Sequence, residues 1–235
     1  MPEQRPYLSG EEWINEILEG EKDFSNTTIE DVFDATPHIE NLNSYLRTHN
    51  LRQNPIYLEN SEIHGLTAPG IYLPFLKGRK SDFSYSTLSD AWLQGGDLRE
   101  GKFERVDFRG AKLWKANFWH AQMPYADFHS NKNLYGIRLV GADCRHVLFS
   151  GADMKEAEVR EAHFEYADLR RVQLDTEEED GTTSKRREAF IINLNSAHFH
   201  QTKISSSLLW LPMFFPGKDC FIVENTPASL PDENL

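Results

Sequence analysis

From Phe83 onward one large apolar residue stands at every fifth position: Phe83, Leu88, Leu93, Leu98, Phe103, Phe108, Leu113, Phe118, Met123 and Phe128. A single extra residue within HSNKN shifts the phase, and the series resumes as Leu134, Leu139, Cys144, Phe149, Met154, Val159, Phe164, Leu169 and Leu174. After a polar interruption it returns as Leu194, Phe199, Ile204 and Leu209. Leu or Phe fills 18 of these 23 centres, where the chain's content of the two residues would place about 4 by chance. Two positions before each centre the residue is usually small, Ala in 11 of the 23, and Asp or Asn often stands between. A period of five fits neither a helix nor a strand, since an apolar stripe at 3.6 or an alternation of two drifts out of phase within a few units. Each pentad is therefore predicted to form one side of a coil that turns a corner every five residues. The small and the large residue point inward, and the other three face water.

The runs AKLWKANFWHAQMPYADF and GADMKEAEVREAHFEYADLRRVQL resemble the A-(D/N)-L-x-x units of pentapeptide repeat proteins, a motif that is specific when iterated this often. The resemblance covers residues 81–174 clearly and 191–209 less cleanly. It implies an all-β solenoid, a right-handed quadrilateral β-helix with four pentads per coil. Lys132 at a small-residue position and Cys144 at a centre depart from the pattern. Folding the series by twenty gives internal ladders: Phe83, Phe103, Met123, Cys144, Phe164, Phe199; Leu88, Phe108, Phe128, Phe149, Leu169, Ile204; Leu93, Leu113, Leu134, Met154, Leu174, Leu209; and Leu98, Phe118, Leu139, Val159, Leu194. Phenylalanines gather in two ladders and leucines in a third, as stacking like on like in a solenoid core would produce. Phe83, Phe103, Phe108, Leu113, Phe128, Leu134, Phe149, Phe164 and Leu169 are the expected core.

A solenoid exposes open coil edges at both ends and needs caps. SGEEWINEILEG carries Ser9 with Glu12 three residues later, a capping box opening an amphipathic helix through Trp13, Ile14, Ile17 and Leu18 and closing at Gly20. Phe24, Ile29, Leu66, Ile71 and Leu76 hint at degenerate coils, but Pro37, Pro55, Pro69 and Pro74 obscure the register. Residues 1–80 are accordingly read as an N-terminal cap, 81–209 as the repeat interrupted by a loop at 175–190, and 210–235 as a C-terminal cap or dimer contact with a loose tail. The apolar stretch SSSLLWLPMFFPGKDCF is read either as a cap over the last coil or as a homodimer contact through 208–216.

Charge refines the picture. The formal charge is −12 from 25 Lys+Arg and 37 Asp+Glu. Residues 81–174 hold 14 acidic and 13 basic side chains, so almost none of the excess sits on the clear repeat. No run of 18 or more apolar residues occurs, and MPEQRPYLSGEEW lacks the basic and apolar regions of a secretory signal, so a cytoplasmic protein without a membrane span is expected. The resemblance implies two roles: a scaffold for partner proteins, or an acidic mimic of B-form DNA that modulates DNA gyrase or topoisomerase IV and protects it from quinolones. Mimicry needs negative potential along the rod itself, so the charge distribution favours a protein-binding scaffold with no direct nucleic-acid binding.

Candidate chemistry is sparse. There is no Walker loop, Gly-rich dinucleotide turn, G-x-S-x-G or H-E-x-x-H, so no catalytic residue and no cofactor is expected. Cys144, at a core position, reads as an inert buried thiol. In HFE and HFH, Phe164 and Phe199 are centres on adjacent coils, which would stack His163 beside His198 and Glu165 beside His200, giving N and O ligands at first-row-metal spacing. For partner binding, the candidates are the charged insertion, with Glu177, Glu178, Glu179, Asp180, Lys185, Arg186 and Arg187, and the outward aromatics. Trp92, Trp114 and Tyr135 are placed on one face, Trp119 on the next, and Tyr85, Tyr125 and Tyr166 on a third, either as hot spots or as surface ladders.

Overall fold

In the computed structural model, residues 6–173, 197–205 and 220–223 are described, and the pentad explains its own geometry. The carbonyl of each centre accepts a hydrogen bond from the N–H three residues on: Gly96 N donates to Leu93 O at 3.0 Å and Ala111 N to Phe108 O at 3.1 Å. The third residue of each turn has positive φ, as at Gly95 (65°), Tyr85 (65°) and Tyr125 (62°), which is type II geometry. The remaining backbone groups pair between coils. Leu93 N donates to Lys112 O, Gly95 N to Trp114 O and Trp92 N to Ile71 O, all at 2.8–2.9 Å. One N–H per pentad, on the second turn residue, would be left over. The Asp or Asn before the centre takes it: Arg109 N donates to Asp107 Oδ1 at 3.0 Å, Trp119 N to Asn117 Oδ1 at 3.1 Å and His129 N to Asp127 Oδ1 at 2.8 Å. A short acceptor side chain at that position is therefore a backbone requirement.

The residues before the centres pair in parallel and define four sides. Side one runs Thr28, Glu62, Asp82, Lys102, Gln122, Asp143, His163, His198; side two runs Asp34, Thr67, Thr87, Asp107, Asp127, Leu148, Asp168 and on to Lys203. Side three carries Tyr72, Trp92 and Lys112, with Asp153 and Gln173 further on, and side four runs Asp23, Tyr57, Lys77, Asp97, Asn117, Arg138, Glu158. The step is 20 residues along most of the rod, 21 where it crosses HSNKN (Gln122 to Asp143), and 35 from His163 to His198. This is a right-handed quadrilateral β-helix, and its axis is filled with aromatic rings. Phe108 stacks on Phe128 and Phe128 on Phe149, each at 4.9 Å; Phe83 stacks on Phe103 at 5.9 Å and Phe164 on Phe199 at 5.5 Å. Phe118 meets Phe103 and Phe108 edge-on, and Leu113, Leu134 and Leu169 are buried with them.

The coil begins earlier than residue 81. The bridges Tyr57 to Lys77, Glu62 to Asp82 and Thr67 to Thr87 are already at the 20-residue step, and Asp23, Thr28 and Asp34 form a coil before them. At two of these pentads the sizes are exchanged. Leu66 and Leu76 occupy the inward position that is usually small, and Ala68 and Gly78 occupy the centres. Leu66, Ala68 and Leu76 are all buried, so the volume per rung is kept although the sequence pattern is reversed. Pro69 and Pro74 stand at the second residue of the turn, where their fixed φ is welcome and no backbone donor is needed.

In the first coil, side three is replaced by helix α2 (Ile39–Arg47) after a 3₁₀ turn at Thr36–His38. Asn43 takes over the missing strand's bonding: its Nδ2 donates to Gly70 O at 2.9 Å and its Oδ1 accepts from Tyr72 N at 2.7 Å. Ahead of it, β1 (Tyr7–Leu8) pairs with β2 (Thr28–Ile29) as a further rung. Helix α1 (Gly10–Glu19) is opened by a Ser9/Glu12 capping box and closed by Gly20 at φ 109°. Trp13, Ile14 and Ile17 of α1 join the core. Gly10 lies flat on the Phe33 ring, where a Cβ would come within 2.0 Å.

At HSNKN the extra residue is accommodated differently from the sequence reading. Asn131, not Lys132, fills the small inward position, and Lys132 is exposed. The buried Asn131 amide donates to Phe108 O and Ala111 O at 2.9 Å, and its Oδ1 accepts from Asn133 N at 2.8 Å. It thus satisfies the Ala111 carbonyl that the interrupted strand leaves behind and gives Phe108 O a second donor beside Ala111 N. Across the insertion, β3 (Asp168–Leu169) pairs in parallel with β4 (Thr202–Ser205), and β4 with β5 (Cys220–Val223), on side two. No helix among the described residues is long and apolar enough to cross a membrane.

Candidate functional site

The edge between sides one and two carries a continuous exposed column. It is built from turn residues: His64, then Tyr85, Arg105, Tyr125, His146 and Tyr166 at successive coils, and His200 at the far end. His64 lies 5.6 Å from Tyr85, the Arg105 guanidinium 4.8 Å over the Tyr125 ring, Tyr125 4.5 Å from His146, and His146 4.8 Å from Tyr166. The last two contacts are parallel stacks with ring planes 7° apart. Tyr85, Tyr125 and Tyr166 are each roughly half exposed, and the Tyr85 hydroxyl donates to Glu104 at 3.0 Å, which raises its pKa. A bulky side chain at positive φ costs about 1–3 kcal/mol; the inter-coil bonds hold the backbone there and the rings stack because the coil spacing brings them into register.

The interleaved Arg105 and His146 do not stand out in a search for aromatics alone. They are found by stepping 20 or 21 residues from Tyr85, Tyr125 and Tyr166. Of the other outward aromatics, Trp114 and Tyr135 lie on adjacent coils at the edge between sides three and four, and Trp119 packs edge-on against His120 at 4.0 Å on the edge between sides four and one. Trp92 is half-buried between Tyr72, Lys112 and Arg47 of α2. The insertion candidates Glu177, Glu178, Glu179, Asp180, Lys185, Arg186 and Arg187, and the 208–216 stretch, lie outside the described residues.

Side one ends in a histidine cluster. His163 and His198 are bridge partners whose rings stack at 4.4 Å with planes 6° apart, and His163 Nδ1 lies 3.1 Å from Glu165 Oε1. One ligand atom each from His163, Glu165 and His198 lie within 4.8 Å of one another. His200 is not part of this group; it meets Tyr166 edge-on at 5.5 Å. Cys144 is wholly buried, and burial pushes its thiol pKa well up. Side one also bears a shallow polar groove of about 460 Å³ lined by residues including Glu62, Lys80, Asp82, Glu100, Lys102 and His120.

The carboxylates of the rod are heavily paired. In Asp97-x-Arg99, Asp107-x-Arg109, Asp143-x-Arg145 and Asp168-x-Arg170 the guanidinium grips both carboxylate oxygens at 2.6–2.9 Å. Partial burial works to raise the Asp107 and Asp143 carboxyls, but the arginine side chain and the turn N–H outweigh it and hold both below the usual carboxylate range. Between coils, Lys102 reaches Asp82 at 3.2 Å and Arg138 reaches Glu158 at 3.0 Å. The D-x-R spacing is visible in the sequence once the turn geometry is known.

A family model described as pentapeptide repeats matches residues 102–130 and 133–175 in 8 copies. Among solved structures, HetL, a pentapeptide repeat protein involved in heterocyst differentiation regulation from the cyanobacterium Nostoc sp. strain PCC 7120, is 17% identical, with 84% of this chain and 82% of that chain covered and a TM-score of 0.38. Full-length QnrB1, a plasmid-mediated fluoroquinolone resistance protein, is 17% identical, with 81% of this chain and 88% of that chain covered and a TM-score of 0.30. No curated protein matches the chain. The fold defines an all-β solenoid wound from quintets of residues. Residues 102–130 and 133–175 of the chain are pentapeptide repeats.

Proposed function

We propose that this chain is a non-enzymatic, cytoplasmic scaffold that docks a protein partner along the edge between sides one and two. The observation that carries the reading is the exposed column of Tyr85, Arg105, Tyr125, His146 and Tyr166, stacked at coil spacing. Tyr and Arg are the residues that anchor interfaces, and here each ring is already held by its neighbours, so little conformational freedom is lost on docking. The filled axis and the shallow polar groove supply no enclosed pocket among the described residues for a small substrate.

The arginine-gripped aspartates weigh against the second role implied by the family, a DNA mimic acting on gyrase or topoisomerase IV, because a phosphate mimic needs unneutralised carboxylates on the rod. The test is quantitative capture from the native cell by the intact protein, by a Tyr85→Ala/Tyr125→Ala/Tyr166→Ala variant, by a Trp114→Ala/Trp119→Ala variant and by a chain lacking residues 176–188. The tyrosine variant alone is expected to lose the partner, by about thirtyfold in affinity if one anchor contributes about 2 kcal/mol. Loss in the deletion alone would move recognition to the insertion. Dose-dependent inhibition of gyrase supercoiling, or rescue from a quinolone, would replace the scaffold reading with the mimic.

A further inference from the structure

We infer that His163, Glu165 and His198 form a binding site for a first-row divalent cation, Zn²⁺ foremost, which staples together the coils on either side of the insertion. Two imidazoles and a carboxylate are the donor set such a cation takes, and three protein ligands leave one position for water. The two histidines stand at paired positions of adjacent parallel strands, so the backbone delivers both rings to the same side at the same height. Tetrahedral ligand atoms about 2.0–2.2 Å from zinc lie roughly 3.3–3.5 Å apart, and the present spread, within 4.8 Å, closes by turning the exposed His198 ring.

A second observation points to a cation. Glu165 Oε2 is buried and has no hydrogen-bond partner among the described residues, an arrangement that is costly for a carboxylate and that a metal bond would relieve. The neighbouring acid does not compete for the ion. Asp143, the bridge partner of His163 on the preceding coil, is gripped through both oxygens by Arg145. His200 is turned to Tyr166 and is not a ligand. The placement also assigns a role. Along the chain, His163 and His198 are separated by 35 residues where the regular coil step is 20, so a shared ion fixes the register between two paired strands that are far apart in sequence, where closure costs most.

The test uses the untagged full-length chain and Zn²⁺ alone, followed by calorimetric titration and by the thermal midpoint at increasing Zn²⁺. One saturable equivalent and a rising midpoint are expected. His163→Asn/His198→Asn should abolish both, Glu165→Gln should weaken binding by about tenfold or more, and His200→Asn should leave both intact. Circular dichroism checks that each variant is folded; if the double variant is not, Glu165→Gln against His200→Asn decides. Absence of saturable binding, equal binding by Glu165→Gln and the native chain, loss with His200→Asn, or binding that leaves the midpoint unmoved would each overturn the staple.

Discussion

The coils before residue 81 and those after it are the same structure written in different patterns, reversed outright at two of the early pentads. After residue 81 the large residue is the centre and the small one precedes it, as in Ala111/Leu113 and Ala126/Phe128; before it, Leu66 precedes Ala68 and Leu76 precedes Gly78. Both positions point inward, so what the fold demands is a volume per rung and a turn every five residues. Which of the two positions supplies the volume is free. The early coils also show how a rung can be omitted: Asn43 on α2 presents one donor and one acceptor where a strand would have stood.

The size exchange can be broken and restored. Leu66→Ala should cost about 2–5 kcal/mol in denaturant unfolding, as for a fully buried leucine, and adding Ala68→Leu should recover more than half of it. If the double variant is no more stable than the single one, the two inward positions are not interchangeable. A smaller effect is expected where side-chain amides stand in for strand backbone. Asn131→Ala leaves the carbonyl of Ala111 without its donor and should cost about 1–3 kcal/mol, measured the same way; a neutral result would mean water replaces the amide.

The smallest effect is electrostatic and belongs to the regular coils alone. Asp107 has a lowered folded pKa, so its stabilisation is complete above the unfolded value of about 3.9 and is lost as the pH falls through the folded value. The stability gap between the native chain and Arg109→Gln, about 0.2–1 kcal/mol for a largely exposed pair, should therefore be constant above about pH 5 and close under more acid conditions. A gap that widens in acid would contradict the pairing.

What the sequence disclosed, and what it withheld, follows from these contrasts. The late coils were legible because Leu and Phe recur at one fixed offset, and the pairing of Phe108 with Phe128 and of His163 with His198 follows from counting. The early coils were obscured because a search for a large residue at the centre fails at Ala68 and Gly78, and because Pro69 and Pro74 read as breakers although the turn accepts them. Lys132 was placed inside for lack of a way to see that Asn131 could complete the bonds of the bulge. At the histidine cluster, His200 meets Tyr166 rather than joining His163, Glu165 and His198, a distinction of side-chain direction that spacing alone does not carry. The aromatic edge was half legible: its tyrosines were noted, whereas the cation and imidazole between them became neighbours only through the 20- and 21-residue steps.

Helix α2 leaves the rod after side two and before side one returns, away from the edge between sides one and two. The tyrosine edge therefore has no interruption from Tyr85 to Tyr166, like the ruled margin of a page whose text is pushed to the other side. Duplicating a whole block of twenty residues would lengthen that margin by one graduation and leave every other graduation where it was. Reach and chemical character can then vary separately, which makes the molecule a natural gauge whose span is set by copy number.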